Sequence, residues 1–194
     1  MSDKEFNEIW NQLQKRKNKL IITSDIIEKI KILNLDYFDA DESILIRDLH
    51  QELLTLSMKN NNSDEVGMLI NLIDWSKTVI YGTQNGITFR NSAKAQDLMI
   101  CAPKNSLLFF HNHPANSVFS EKDLESFLIS DSILMMSVVC NNGRQYFLTK
   151  SDSFEKEKAL IYYDNIFQNN KNGCIKEFLR TCKKIGLIFK YGGE

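Results

Sequence analysis

The chain has 194 residues, 43% of them apolar, and 24 basic against 25 acidic side chains give a formal net charge of −1. A chain of that length buries about 70% of its unfolded surface in a globular fold, and the charge balance argues against a general phosphate-coating protein, leaving nucleic-acid binding unsupported. Cys101, Cys140, Cys174 and Cys182 show no C-x-x-C spacing, which excludes a zinc ribbon and a dithiol redox motif.

Phe6, Ile9, Trp10 and Leu13 fall at i, i+3, i+4 and i+7, so a first helix is expected there, with Lys15 to Lys19 as its basic, solvated end. The acidic start Asp3-Lys4-Glu5 does not fit a signal peptide, and no run approaches the ~18 apolar residues of a membrane span. A cytoplasmic protein with reduced thiols and no membrane partner is the expectation. A short second helix is expected from Asp25 to about Leu33, capped by Ser24 or Asp25, and a third is marked by Leu45, Leu49, Leu53 and Leu56. The third carries His50, which beside a leucine stripe reads as a packing or surface residue rather than a ligand or an acid/base group.

Lys59 to Asp64 is rich in turn residues and lacks apolar anchors, and a boundary is placed there. After it the pattern becomes extended. Val66, Met68 and Ile70 alternate through a strand to Ile73, and Thr78 to Tyr81 gives a second strand, antiparallel to the first. A helix over Asn91 to Cys101 follows, with Asn91 or Ser92 as its cap, Ala95, Leu98 and Met99 facing inward and Pro103 ending it. Leu107 to His113 reads as a strand so continuously apolar that it belongs in the middle of a sheet. Ser120 to Leu128 starts as a capped helix, and Ile133 to Cys140 is a further buried strand. Asn141 to Arg144 then turns into Gln145 to Thr149. The C-terminal quarter returns to helix, from about Phe154 to Gln168 and from about Ile175 to Lys184, with Ile185 to Tyr191 as a last strand or a packed tail.

Two of the three histidines sit two apart at the end of the central strand, in Phe110-His111-Asn112-His113-Pro114. Period-two alternation puts His111 and His113 on one face, roughly 6.6 Å apart along the strand, within reach of a single ion. Ser120 and Asp123 lie three apart at a helix start and share a helical face. Two imidazoles and a carboxylate leave one position open for water, as in catalytic rather than structural zinc sites.

His-x-His, a short loop and Ser-x-x-Asp together resemble the JAMM/JAB (MPN-like) zinc metalloprotease signature, and the His-Asn-His-Pro form is closest to its RadC-like branch. The resemblance covers roughly residues 63 to 150. It implies an α/β fold, a JAB-like mixed β-sheet flanked by helices, with an N-terminal helical extension and C-terminal helices. It also implies that His111, His113 and Asp123 bind Zn2+, that Ser120 steadies the tetrahedral intermediate, and that an upstream glutamate is the general base. Glu65, at the opening of the first strand, is placed in that last role by its position along the chain. Six residues separate His113 from Ser120, one fewer than in the usual pattern.

The corresponding organisation is a helical region over 1–62, a metalloprotease core over 63–150 and C-terminal helices over 151–194 completing the domain. The activity implied is hydrolysis of a peptide or isopeptide bond in a protein or peptide substrate, ubiquitin-like conjugates included. A RadC-like DNA-associated or protein-binding module with a non-proteolytic metal site is the alternative. The same ligand set could also hold iron, although Ser120 and Glu65 would then have no task.

Overall fold

A computed structural model describes residues 6–7, 18–169 and 174–192. The described helices are α1 (Ser24–Glu28), α2 (Ala40–Asn60), α3 (Ala93–Cys101), α4 (Glu121–Ile129), α5 (Lys156–Asn169) and α6 (Cys174–Thr181). The strands are β1 (Val66–Asn71), β2 (Lys77–Tyr81), β3 (Leu107–His113), β4 (Ile133–Cys140), β5 (Gln145–Lys150) and β6 (Leu187–Gly192). They form one mixed sheet in the order β2-β1-β3-β4-β5-β6. Only the β3–β4 pair is parallel, and α4 is the crossover that this pairing requires.

Alternation along the strands divides the core in two. Leu69, Phe109, Met136, Val138, Tyr146 and Leu148 face one side, where α4, α5 and α6 cover them with Leu124, Phe127, Ala159 and Phe178. Met68, Ile70, Leu108, Phe110, Met135 and Phe147 face the other, under Ile46, Leu49, Leu53 and Leu54 of α2. Described residues between Ile22 and Asn60 therefore cover this side of the sheet. A capping box starts α2: Asp39 accepts from Glu42 N at 2.8 Å, and Glu42 accepts from Asp39 N at 3.0 Å.

The expected first helix lies mostly outside the described residues; within them, Phe6 is buried, edge-on to Phe189 at 6.4 Å. The second helix stops at Glu28, five residues short of Leu33, because Ile30 and Leu35 leave the helix to bury themselves under α2. The stripe on α2 is rotated from the leucines alone: Leu45 and Leu56 are half-buried, while Ile46 and Leu54 take the inner positions. Strand β1 ends at Asn71 rather than Ile73, since Asn71 Oδ1 accepts from Ile73 N and turns the chain, leaving Ile73 71% exposed. Helix α3 is capped by Ser92, one of the two expected caps, whose hydroxyl accepts from Ala95 N. After Thr181 the last helix tightens to a 3-10 turn over Cys182–Ile185, Gly186 takes φ +74°, and the tail is strand β6 on β5. The β4–β5 turn has Gly143 at φ +88°, as its sequence requires. No described helix is long and apolar enough to cross a membrane.

Candidate metal centre

Strand β3 lies between β1 and β4, and all seven of its residues are buried. Its last inward positions on the α4 side are His111 and His113, whose Nε2 atoms face each other at 3.1 Å. The following loop is held where Leu20 N donates to Pro114 O at 2.8 Å. It returns at Ser120 to start α4 with a second capping box. There the Ser120 hydroxyl accepts from Asp123 N at 3.2 Å, and Ser120 N donates to Asp123 Oδ2 at 2.7 Å. The cap aims the carboxylate at the histidines. Asp123 Oδ1 lies 3.5 Å from His111 Nε2, and Oδ2 lies 3.4 Å from His113 Nε2.

These separations can be compared with a known coordination shell. A tetrahedral ion with bonds of about 2.0–2.1 Å to N and O spaces its ligands about 3.3–3.4 Å apart. Here the two Nε2 atoms are 3.1 Å apart, each ring faces a different oxygen of Asp123 at 3.5 and 3.4 Å, and with one ligand atom taken from each residue all three lie within 4.8 Å of one another. The cluster His111, His113 and Asp123 can hold a metal ion.

The electrostatics follow from three groups sharing one small volume. Burial disfavours charge on both rings. In His111 it prevails and lowers the pKa, whereas in His113 the hydrogen bond and charge of Asp123, aided by Glu65, outweigh it and raise the pKa. Burial would raise Asp123, but the two imidazoles hold it well below the usual carboxylate range. An ionised carboxylate beside nitrogen lone pairs is a site built for a cation.

The outer nitrogens differ. His113 Nδ1 lies 3.1 Å from the Ser117 carbonyl and 3.0 Å from the Ser117 hydroxyl, and Cys140 Sγ donates to that same carbonyl at 3.2 Å. A carbonyl acceptor keeps the proton on Nδ1 and leaves the Nε2 lone pair for an ion. His111 Nδ1 is buried with no hydrogen-bond partner among the described residues, and its ring is stacked on Phe109, centroids 5.0 Å apart and 12° from parallel.

Glu65 reaches the site by register. Gly67 pairs with His111 across the antiparallel β1–β3 ladder, so Glu65, two residues earlier, stands level with His113. It lines the same cleft as His111, His113, Ser120 and Asp123, a cavity of about 810 Å³. Burial, with a smaller contribution from the Asp123 charge and opposed by His113, pushes its carboxyl up to about 7. Beside it Lys19 pairs with Asp64 at 2.5 Å.

The structure thus gathers His111, His113, Ser120, Asp123 and Glu65 at one cleft. It places His50 elsewhere, buried on the opposite face with Nε2 2.7 Å from Ser137 Oγ and Nδ1 3.0 Å from Gln145 Nε2, as a packing residue. Sequence reasoning missed Ser117, whose position depends on the path of an irregular loop. It also missed Asn112, which strand alternation sends to the back of the sheet. There its oxygen accepts from Val66 N at 2.7 Å, and its amide donates to Asn141 Oδ1 at 2.8 Å and to Asp64 O at 3.2 Å. Asn141 in turn donates to the carbonyls of Leu20 and Ser63, so the strand end behind His111 and His113 is fastened to the N-terminal stretch. No protein-family model, curated protein or solved structure matches this chain.

Proposed function

We propose that the chain is a zinc-dependent hydrolase of the JAMM/JAB type that cleaves a peptide or isopeptide bond in a protein or peptide substrate. The observation that carries this reading is the convergence of His111 Nε2, His113 Nε2 and the Asp123 carboxylate in a cleft that also holds Glu65 and Ser120. Zinc is the metal of choice because a donor set of two imidazoles and one carboxylate suits it. When bound, it supplies a Lewis acid that makes water a competent nucleophile at neutral pH.

The chain's own groups perform the rest. Glu65, with a carboxyl raised to about 7, is poised to take a proton from the attacking water and deliver it to the leaving amine. The Ser120 hydroxyl donates to Asp123 Oδ2 at 2.7 Å in the free protein. It transfers that donor to the carbonyl oxygen as negative charge develops there, an interaction commonly worth about 3 kcal/mol. Asp123 does not lose all support in that exchange, because Ser120 N–H still donates to the same oxygen.

Metal analysis and a charge-removing variant test the proposal together. The purified chain should bind one equivalent of zinc, His113→Ala should bind none, and Glu65→Gln should keep the metal while losing cleavage. Cleavage is read by comparing new protein termini in cells expressing wild type and the Glu65 variant. Absence of metal uptake, or identical termini in the two cell populations, would replace the hydrolase reading with that of a non-proteolytic binding module.

A further inference from the structure

The cleft extends well beyond the metal cluster, and its far end has a different chemistry. Moving two residues back along β3 from His111 leads to Phe109 on the same face, and moving one turn along α4 from Asp123 leads to Phe127. Both steps cover roughly 6 Å in the same direction, because a helix joining two parallel strands runs back along them. The aromatic path is continuous: the His111 ring lies 5.0 Å from that of Phe109, and Phe109 lies 5.1 Å from Phe89.

Ile87, Phe89 and Met99 are half-buried around this end, Phe109 keeps 7% exposure, and Phe127 and Met136 close the floor. Ile87 is held over Gly67, where an added Cβ would come within 2.9 Å of Ile87 Cδ1 and 3.1 Å of Phe109. The glycine is what lets that wall approach the sheet. The charged lining residues, Lys19, Glu65, Lys122, Asp123 and Glu125, belong to the N-terminal stretch, the start of β1 and the first turns of α4. The Glu65 carboxylate borders this end at Gly86, where an added Cβ would come within 3.9 Å of Glu65 Oε2.

We infer that the substrate carries a large apolar side chain, aromatic or branched aliphatic, next to the bond that is cut, and that Ile87, Phe89, Met99 and Phe109 hold it. This rests on the hydrolase reading and adds a substrate class to it. A substrate with glycine at that position leaves the recess filled only by water, and a charged side chain there loses hydration against apolar walls.

Hydroxamates of graded side chain, bound to the cobalt-loaded full chain and followed by the cobalt absorption bands, test the recess without requiring a known substrate. The chelating group is constant, so differences report the side chain. 3-Phenylpropanohydroxamate should bind about 30-fold more tightly than acetohydroxamate, and the cationic 6-aminohexanohydroxamate should gain less than threefold. Met99→Trp, which fills the recess, should reduce the phenyl preference below threefold. Ile100→Trp, on the 80% exposed neighbouring position, should leave it unchanged. Should Met99→Trp not fold, Phe89→Ala serves, with an expected loss of at least fivefold in the same ratio. If cobalt is not taken up, the metal-dependent reading fails and this inference falls with it. If cobalt binds but the three hydroxamates bind alike, or the preference survives both recess variants, the recess assignment alone is wrong.

Discussion

His113 and Ser117 are joined twice: the ring Nδ1 lies 3.1 Å from the Ser117 carbonyl and 3.0 Å from its hydroxyl. The partner of a ligating ring's second nitrogen fixes both tautomer and orientation, and losing it typically costs 10–100-fold in metal affinity. Ser117→Ala removes the hydroxyl but keeps the carbonyl, so a loss of about tenfold is expected, at the low end of that range. Competition against a chelator of known zinc affinity measures it; an unchanged affinity would show that the carbonyl suffices.

Under the proposed function Ser120 has two separable duties. As the cap of α4 it accepts from Asp123 N, and losing such a cap costs about 1 kcal/mol, or roughly 2–4 °C in Tm for a domain of this size. As a donor to developing charge it is asked for about 3 kcal/mol, which is roughly a 100-fold loss of kcat. Ser120→Ala should therefore show a small shift in thermal denaturation and a large one in turnover. A variant in which the two losses are of similar size would leave Ser120 with the cap alone.

His50 makes stability depend on pH. Burial lowers its pKa from 6.5 to about 3, so between those values the folded ring stays neutral while the unfolded one takes up a proton. The stabilisation is complete above pH 6.5 and is lost as pH falls, by about 1.4 kcal/mol per unit down to pH 3. His50→Gln should flatten that part of a pH series of urea denaturations, and a slope equal to that of wild type would refute the assignment.

Asn112 is fully buried between the two cluster histidines in sequence, with its side chain on the opposite face. Asn112→Leu leaves Val66 N without its acceptor and removes the donors to Asn141 and Asp64, for an expected loss of about 3 kcal/mol. Denaturant midpoints measure that loss. Zinc affinity should fall with it, since the same residue anchors the end of β3; a stable variant with intact affinity would argue against coupling between the two faces.

What could be read in the sequence was local. The placement of His111 and His113 on one face needs only the two-residue period of a strand, and Ser120 with Asp123 needs only the geometry of a helix start. The central position of β3 was also legible, because a strand apolar on both faces must be covered on both. The end of α1 was not, since it is decided by where Ile30 and Leu35 find burial against α2.

The sequence by itself determined the candidate ligands and the side of the strand that carries them. Only the tertiary structure decided that Glu65 stands level with His113, that Ser117 backs His113, and that α2 with His50 closes the opposite face. The reason is range. Side-chain direction along one strand or one helical turn is fixed by bonds between neighbours, whereas the ladder that brings residue 65 beside residue 113 and the loop that folds residue 117 under it depend on pairings chosen by the whole core.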